Sequence, residues 1–104
     1  MNIKEELLRQ LVNKAEIKCA LIRKGADYYE PEEQKTVILK KGYTSEDYIN
    51  FLNKLDFNYN NGYGGQELYG NVWLKDGTWL ERGEYDGSEW WEHKVLPEIP
   101  KILK

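Results

Sequence analysis

Ile3, Leu7, Leu8, Leu11 and Val12 recur at three- and four-residue intervals, the spacing of one face of an α-helix, and Asn2 stands at a cap position with Glu5 three residues on. A first amphipathic helix over about residues 3–15 follows. Next, Ile17, Cys19 and Leu21 alternate with Lys18, Ala20 and Ile22, which reads as a strand over 16–24; the alternative is a continued helix, because Ala15, Cys19 and Ile22 extend the helical stripe to a Gly25 cap. The polar stretch 25–34 suits a loop, and Val37-Ile38-Leu39 then forms a β-rich run that pairs with the first as an antiparallel hairpin.

After Gly42, Thr44-Ser45-Glu46-Asp47 reads as a cap and an acidic first turn. Tyr48, Phe51, Leu52 and Leu55 share one helical face and Tyr43 is placed to staple against Tyr48, so a second helix is expected over about 45–55. Residues 58–66 hold three Gly and three Asn, the composition of a mobile loop. Beyond them, Asp76-Gly77 and Asp86-Gly87 lie ten residues apart between runs rich in Trp, Tyr, Leu and Val. Asp-Gly between such runs marks a hairpin, which predicts a meander with strands at about 67–75, 78–85 and 88–95. Pro97 and Pro100 lack the donor a ladder needs, so the tail leaves the sheet extended, with Leu96 and Ile99 expected to pack back on the body. The whole chain, 1–104, reads as one α+β domain ordered α-β-β-α-β-β-β, an antiparallel sheet with its helices on one face.

Two registers are open for the meander. Strict two-residue turns put Trp73, Leu80, Arg82, Trp91 and His93 on one face with Tyr69, and Val72, Leu74, Trp79, Glu81, Tyr85 and Trp90 on the other. A three-residue turn closed by a glycine bulge sets Trp73 opposite Trp79 and Val72 opposite Leu80. In either case one helix-covered face cannot hide every aromatic.

The size, 104 residues with 40% hydrophobic and 32% charged, fits one core. A net charge of −3 lacks the basic footprint of a nucleic-acid binder, so no direct nucleic-acid partner is expected. Cys19 is the single cysteine and allows no internal disulfide; the longest apolar run, Cys19 to Ile22, is far too short for a membrane, and residues 1–6 do not resemble a signal peptide. A cytoplasmic protein without membrane or cofactor is the expectation.

Charge is uneven along the chain. Residues 67–93 carry seven acids against Lys75 and Arg82, a balance of −5, and all four tryptophans. An acidic, aromatic surface complements a basic one, and Trp, Tyr and Arg dominate binding hot spots. The candidate contacts are Tyr69, Trp73, Trp79 and Trp91, with Tyr63 on the glycine-rich loop; the carboxylates Glu81, Glu84, Glu89 and Glu92; and Arg82. For the tryptophans the competing role is core filling over Gly70 and Gly83, and for Arg82 it is a cross-strand ion pair or a guanidinium stacked on Trp.

Other chemistries are weaker. His93 is the only histidine and satisfies no metal-ligand spacing. Pairs among Glu81, Glu84, Glu89 and Glu92 resemble glycosidase carboxylates flanked by tryptophans, but a shallow meander offers no cleft to raise one pKa. Gly62-Tyr63-Gly64-Gly65 lacks the Lys-Ser/Thr of a phosphate loop, the P-x-x-P at 97–100 is a motif often met by chance, and Cys19 reads as core.

The strings G-Y-G-G-Q-E-L-Y-G at 62–70 and D-G-T-W-L-E-R-G-E-Y-D-G-S-E-W-W-E at 76–92 resemble an uncharacterised group of small phage and prophage proteins, over a span from Gly42 to Pro100. The group has no established activity, so the resemblance implies a setting, a mobile element expressed in a bacterial cytoplasm, and transfers no catalytic residue. Trp73-x-x-Asp76-Gly77-Thr78-Trp79 is also similar to cell-wall-binding repeats, which come in tandem on secreted proteins, unlike this chain. Together these readings lead to a non-catalytic accessory protein that binds a host protein with a basic surface and inhibits a defence or nucleic-acid-handling function, in the manner of an anti-CRISPR. The alternative is a small-ligand binder that uses Trp faces and Arg82 for a sugar or nucleotide signal, with a homo-oligomer and sites between subunits belonging to that reading.

Overall fold

The computed structural model describes residues 1–25, 35–59 and 65–103. Its elements run α1 (Ile3–Leu11), β1 (Ile17–Lys24), β2 (Lys35–Leu39), α2 (Ser45–Lys54), β3 (Leu68–Leu74), β4 (Trp79–Tyr85) and β5 (Ser88–Lys94), then a single 3-10 turn at Lys101–Leu103. The five strands form one antiparallel sheet in the order β2-β1-β3-β4-β5. This is the expected α+β order. Residues 26–34, where a loop is expected, and residues 60–64 of the glycine-rich stretch, Tyr63 among them, lie outside the described residues. No helix among the described residues is long and apolar enough to cross a membrane.

Both helices start on side-chain caps. Asn2 accepts the Glu5 N–H at 3.0 Å, and Thr44 and Asp47 close a reciprocal capping box at 3.1 and 3.0 Å. Tyr43 stacks on Tyr48 with ring centroids 5.8 Å apart, the expected staple. α1 stops at Leu11, about a turn short of the expected 15, and Asn13 takes a positive φ of 62° in the turn that leads into β1. The strand reading of residues 17–24 therefore holds over the helical one.

The core lies between the helices and one face of the sheet. Ile3 and Leu7 of α1, Phe51 of α2 and Leu55 at its C-cap meet Ala20 and Ile22, Val37 and Leu39, Val72 and Leu74, Leu80 and Trp91. The inward strand positions alternate, as a half-buried sheet requires. The α1 stripe is rotated from the one expected: Ile3, Glu6 and Leu7 are buried, while Leu8 and Val12 are exposed. A carboxylate has entered the core side of the helix, where Tyr59 and Arg82 hold it.

The two Asp-Gly turns differ. Trp73 pairs with Trp79 and Val72 with Leu80, Leu74 N–H donates to Thr78 O at 2.9 Å, and Gly77 takes φ 87°, the three-residue turn with a glycine bulge. Tyr85 pairs directly with Ser88, and Asp86 and Gly87 both have positive φ, 51° and 85°, a two-residue type I′ turn. In this combination Trp73, Trp79 and Trp90 share the outer face, and Trp91 alone goes inside.

Two glycines allow close approaches. A Cβ on Gly70, at φ 145°, would lie 2.2 Å from Leu21 O, so β3 can pass this close to β1 only with glycine there. At Gly83 a Cβ would lie 2.6 Å from Trp90 Nε1; the indole covers that glycine, as expected, whereas Gly70 is covered by backbone.

Candidate functional site

The helices pack on one side of the sheet, and no described element covers the other. Register places five residues in a row across it, Ile38, Leu21, Asn71, Glu81 and Glu92. The row beside them holds Cys19, Trp73, Trp79 and Lys94, and on the opposite flank lie Arg23, Tyr69 and Trp90. Leu21, Ile38, Trp73 and Trp90 are 37 to 56% exposed. Four large apolar side chains on one sheet face exceed the scattered singles of an ordinary surface.

This face has two halves of different chemistry. On β2, β1 and β3, Ile38, Leu21 and Trp73 adjoin one another as an apolar patch. On β4 and β5 the same local unit occurs twice: the Trp79 indole donates to Glu81 at 3.0 Å, and the Trp90 indole donates to Glu92 at 3.0 Å. In a strand, residues two apart share a face, so each tryptophan reaches the carboxylate beside it. Glu81 and Glu92 are directly opposed across the strands, an arrangement that like charges disfavour. The two indole donors and Lys94, 3.1 Å from Glu92, offset that repulsion.

Glu92 is held below the ordinary carboxylate range, first by the Lys94 hydrogen bond and then by the Trp90 indole, and Lys94 is correspondingly raised by Glu92. A depressed carboxyl favours its charged form, so its contribution is complete above the ordinary carboxylate pKa and lost as pH falls through the lower folded value. Replacing Lys94 by Met should raise the Glu92 midpoint toward the ordinary range in an NMR titration of side-chain carboxyls; an unchanged midpoint would contradict this geometry. The depression is opposite to what a general acid of a glycosidase needs.

The remaining candidates fall elsewhere, and three of them are corrections. Arg82, Glu89 and Trp91 point into the core, with the Arg82 side chain only 2% exposed, so they offer nothing to a partner or a ligand. Arg82 donates to Glu89 at 2.7 Å, to Glu6 at 3.2 Å and to the Tyr59 hydroxyl at 2.9 Å, and it stacks over Trp91 at 4.8 Å. Its role is the ion pair and Trp stack set beside the binding role. Tyr59 donates to Glu6 at 2.5 Å, and burial, then that bond, pushes its phenol well above the ordinary range. Glu89 also accepts the Glu67 and Leu68 N–H groups at 2.7 and 2.9 Å, at the start of β3, before its register with β4 begins. Buried charges persist only with such partners, which is why Glu6 turns toward the core.

The acidity of the meander is thus dispersed. Glu89 is neutralised inside by Arg82, and on the open face Lys94 pairs with Glu92. Exposed acids collect instead at the β4–β5 turn, where Glu84 and Asp86 flank an exposed Tyr85.

Sequence reasoning missed Glu6 and Tyr59, whose partners lie 53 and 76 residues away. An available signal was Arg82 itself, alternating with Leu80 on an inward register and so requiring a carboxylate from the facing helix. Tyr69 lies on the open face with Arg23 4.5 Å above its ring. His93 is exposed and meets Thr78 Oγ1 at 2.8 Å, while Thr78 donates to Asp76 in the turn.

Grooves of about 480 and 560 Å³ lie between β2 and α2 and between the end of α1 and the start of α2. No tryptophan lines them, nor does Arg82, so the groove positions do not match the small-ligand reading. Among the described residues no cluster of His, Cys, Asp or Glu forms a metal-binding set. Fold and surface together define a two-layer α+β protein with one bare, tryptophan-bearing sheet face. Comparison with protein-family models, curated proteins and solved structures finds no match.

Proposed function

We propose that this chain is a non-catalytic binding protein that engages another protein through the open face of its sheet and the adjoining β4–β5 turn. The observation that carries this reading is the joint exposure of Leu21, Ile38, Trp73 and Trp90 on a sheet whose opposite face carries the core. Surface tryptophans held in place by neighbouring carboxylates are ordered before binding, which lowers the entropic cost of association. Exposed Glu84 and Asp86 at the turn favour a partner with basic residues beside an apolar patch.

The resemblance of residues 42–100 to small phage and prophage proteins supplies the setting, a bacterial cytoplasm, and the role that fits a small binding protein there is inhibition of a host defence or nucleic-acid-handling protein. Fold alone carries no function, so this role rests on the surface and the setting together. Attraction between charges confined to the turn should weaken as salt rises, while the apolar part should not. Affinity for an isolated partner, measured at low and high salt, is expected to fall in wild type and to lose that salt dependence in an E84Q/D86N variant. A salt response identical in both would contradict the role given to the turn.

A further inference from the structure

Two hollows in the surface follow the same strand. The groove of about 480 Å³ between β2 and α2 is continued toward the start of β2 by a second of about 480 Å³, and Lys54 lines both. Together they accompany β2 over its whole length, Lys35 to Leu39.

Where this groove opens follows from the side chains that touch it. Consecutive residues of a strand point to opposite faces of the sheet. Ile38 and Leu39 both line the first hollow and Thr36 and Val37 both line the second, and in each pair the first residue is exposed and the second buried in the core. A hollow that meets both faces lies at the strand's edge. β2 ends the sheet, paired with β1 alone, and no backbone group among the described residues bonds to its other side. Alternate residues of such a strand hold their N–H and C=O outward and unpaired.

The groove is also positively charged. Lys35, Lys40, Lys41 and Lys54 line it against Asp47 and Asp56. Asp47 accepts the Thr44 N–H at 3.0 Å and Asp56 accepts from the Asn2 amide at 2.9 Å, whereas Lys40, Lys41 and Lys54 make no ion pair among the described residues. This excess of cations stands in a chain of net charge −3.

From an unpaired strand edge that forms one wall of a lysine-lined groove, we infer a second binding site, which takes an extended acidic segment of another protein as a sixth strand beside β2. The inference goes beyond the open-face reading, since β2 lies at the edge of the sheet opposite to β5 and the β4–β5 turn.

Strand addition takes its affinity from main-chain hydrogen bonds and its selectivity from alternate side chains. Lysines along an edge ordinarily discourage it. In this groove they act as a filter: a basic strand is repelled, an uncharged one leaves the ammonium groups uncompensated, and an acidic one neutralises them. The five residues of β2 span roughly 17 Å at about 3.3 Å each, which sets the length of the paired segment at about five residues.

The test is a titration of the full chain at low salt with a capped hexapeptide of alternating Glu and Val, read by backbone amide NMR shifts. Wild type is expected to bind it with shifts confined to residues 35–41 and the facing side of α2. The charge-reversed variant K40E/K41E/K54E should bind it at least about tenfold more weakly, a loss of about 1.4 kcal/mol, and should prefer the corresponding peptide of alternating Lys and Val. An unchanged amide spectrum away from the groove confirms that the variant is folded. Two further peptides, N-methylated at alternate amides in the two possible phases, test the main-chain part on wild type itself, and one of them should also lose at least about tenfold. Absence of binding to wild type overturns the inference, as does equal binding of both methylated peptides, which would reduce the contact to charge alone. Shifts in β2 that appear on raising the protein concentration without peptide would place a second copy in the groove, and tighter binding of a single-stranded oligonucleotide at the same lysines would make the ligand a phosphate backbone; either result also overturns it.

Discussion

Replacing Arg82 by Met is expected to lower the unfolding free energy by about 3–5 kcal/mol, the cost of removing one partner from a buried ion pair. The guanidinium sits between Glu6 and Glu89, both buried, and its loss leaves two carboxylates without a cation in the core. The Trp91 ring also loses the group stacked on it, and Tyr59 loses one of its two hydrogen-bond partners in the cluster. A domain of this size unfolds with about 5–15 kcal/mol, so a change of this magnitude removes a large part of the total. Urea unfolding checks it, with E6Q and E89Q as companions. E89Q should cost more than E6Q, because Glu89 alone also receives the Glu67 and Leu68 N–H groups. A variant R82M as stable as wild type would show that the cluster does not hold the meander to α1.

Gly70→Ala should cost about 3 kcal/mol or more through backbone strain and overpacking. The new Cβ would meet Leu21 O at 2.2 Å and Ile22 Cα at 2.9 Å, both backbone atoms of the neighbouring interior strand β1, at a φ of 145°. Neither atom can move aside without opening the β1–β3 ladder. Gly77→Ala is the control: its φ of 87° is also positive, but a Cβ there has nothing within 4 Å, so only the conformational cost of about 1 kcal/mol applies. Thermal melts of the two variants should therefore separate clearly. Equal losses would mean that strand proximity at Gly70 is not the controlling feature.

The order of elements was legible because each boundary had a local cause: the Asn2 and Thr44 caps, the Tyr43–Tyr48 staple and the two Asp-Gly turns. The register was not, since Asp-Gly serves both a two-residue turn and a three-residue turn with a bulge, and the chain uses one of each. That choice decides which tryptophans reach solvent. The polar core was hidden for a different reason: Glu6 looks like an ordinary polar position next to a helical stripe, and only the distant Arg82 and Tyr59 turn it inward. The acidic balance of residues 67–93 was a correct sum, but a sum along the chain does not say which face each charge takes. Leu96 and Ile99 stay exposed, against the expectation that they pack back on the body, because apolar character alone does not fix where the chain runs once it leaves β5.

The proposed role requires the open sheet face to serve binding and not folding. The direct measurement is quantitative retention of bacterial lysate proteins on immobilised wild type beside a folded L21D/W73S/W90S variant, with melting temperatures recorded for both. The expected result is a specific protein held by wild type and reduced at least about tenfold, a loss of about 1.4 kcal/mol or more, with little change in melting temperature. Identical retention by the two proteins, or a variant that no longer folds because these side chains support the sheet, would contradict it.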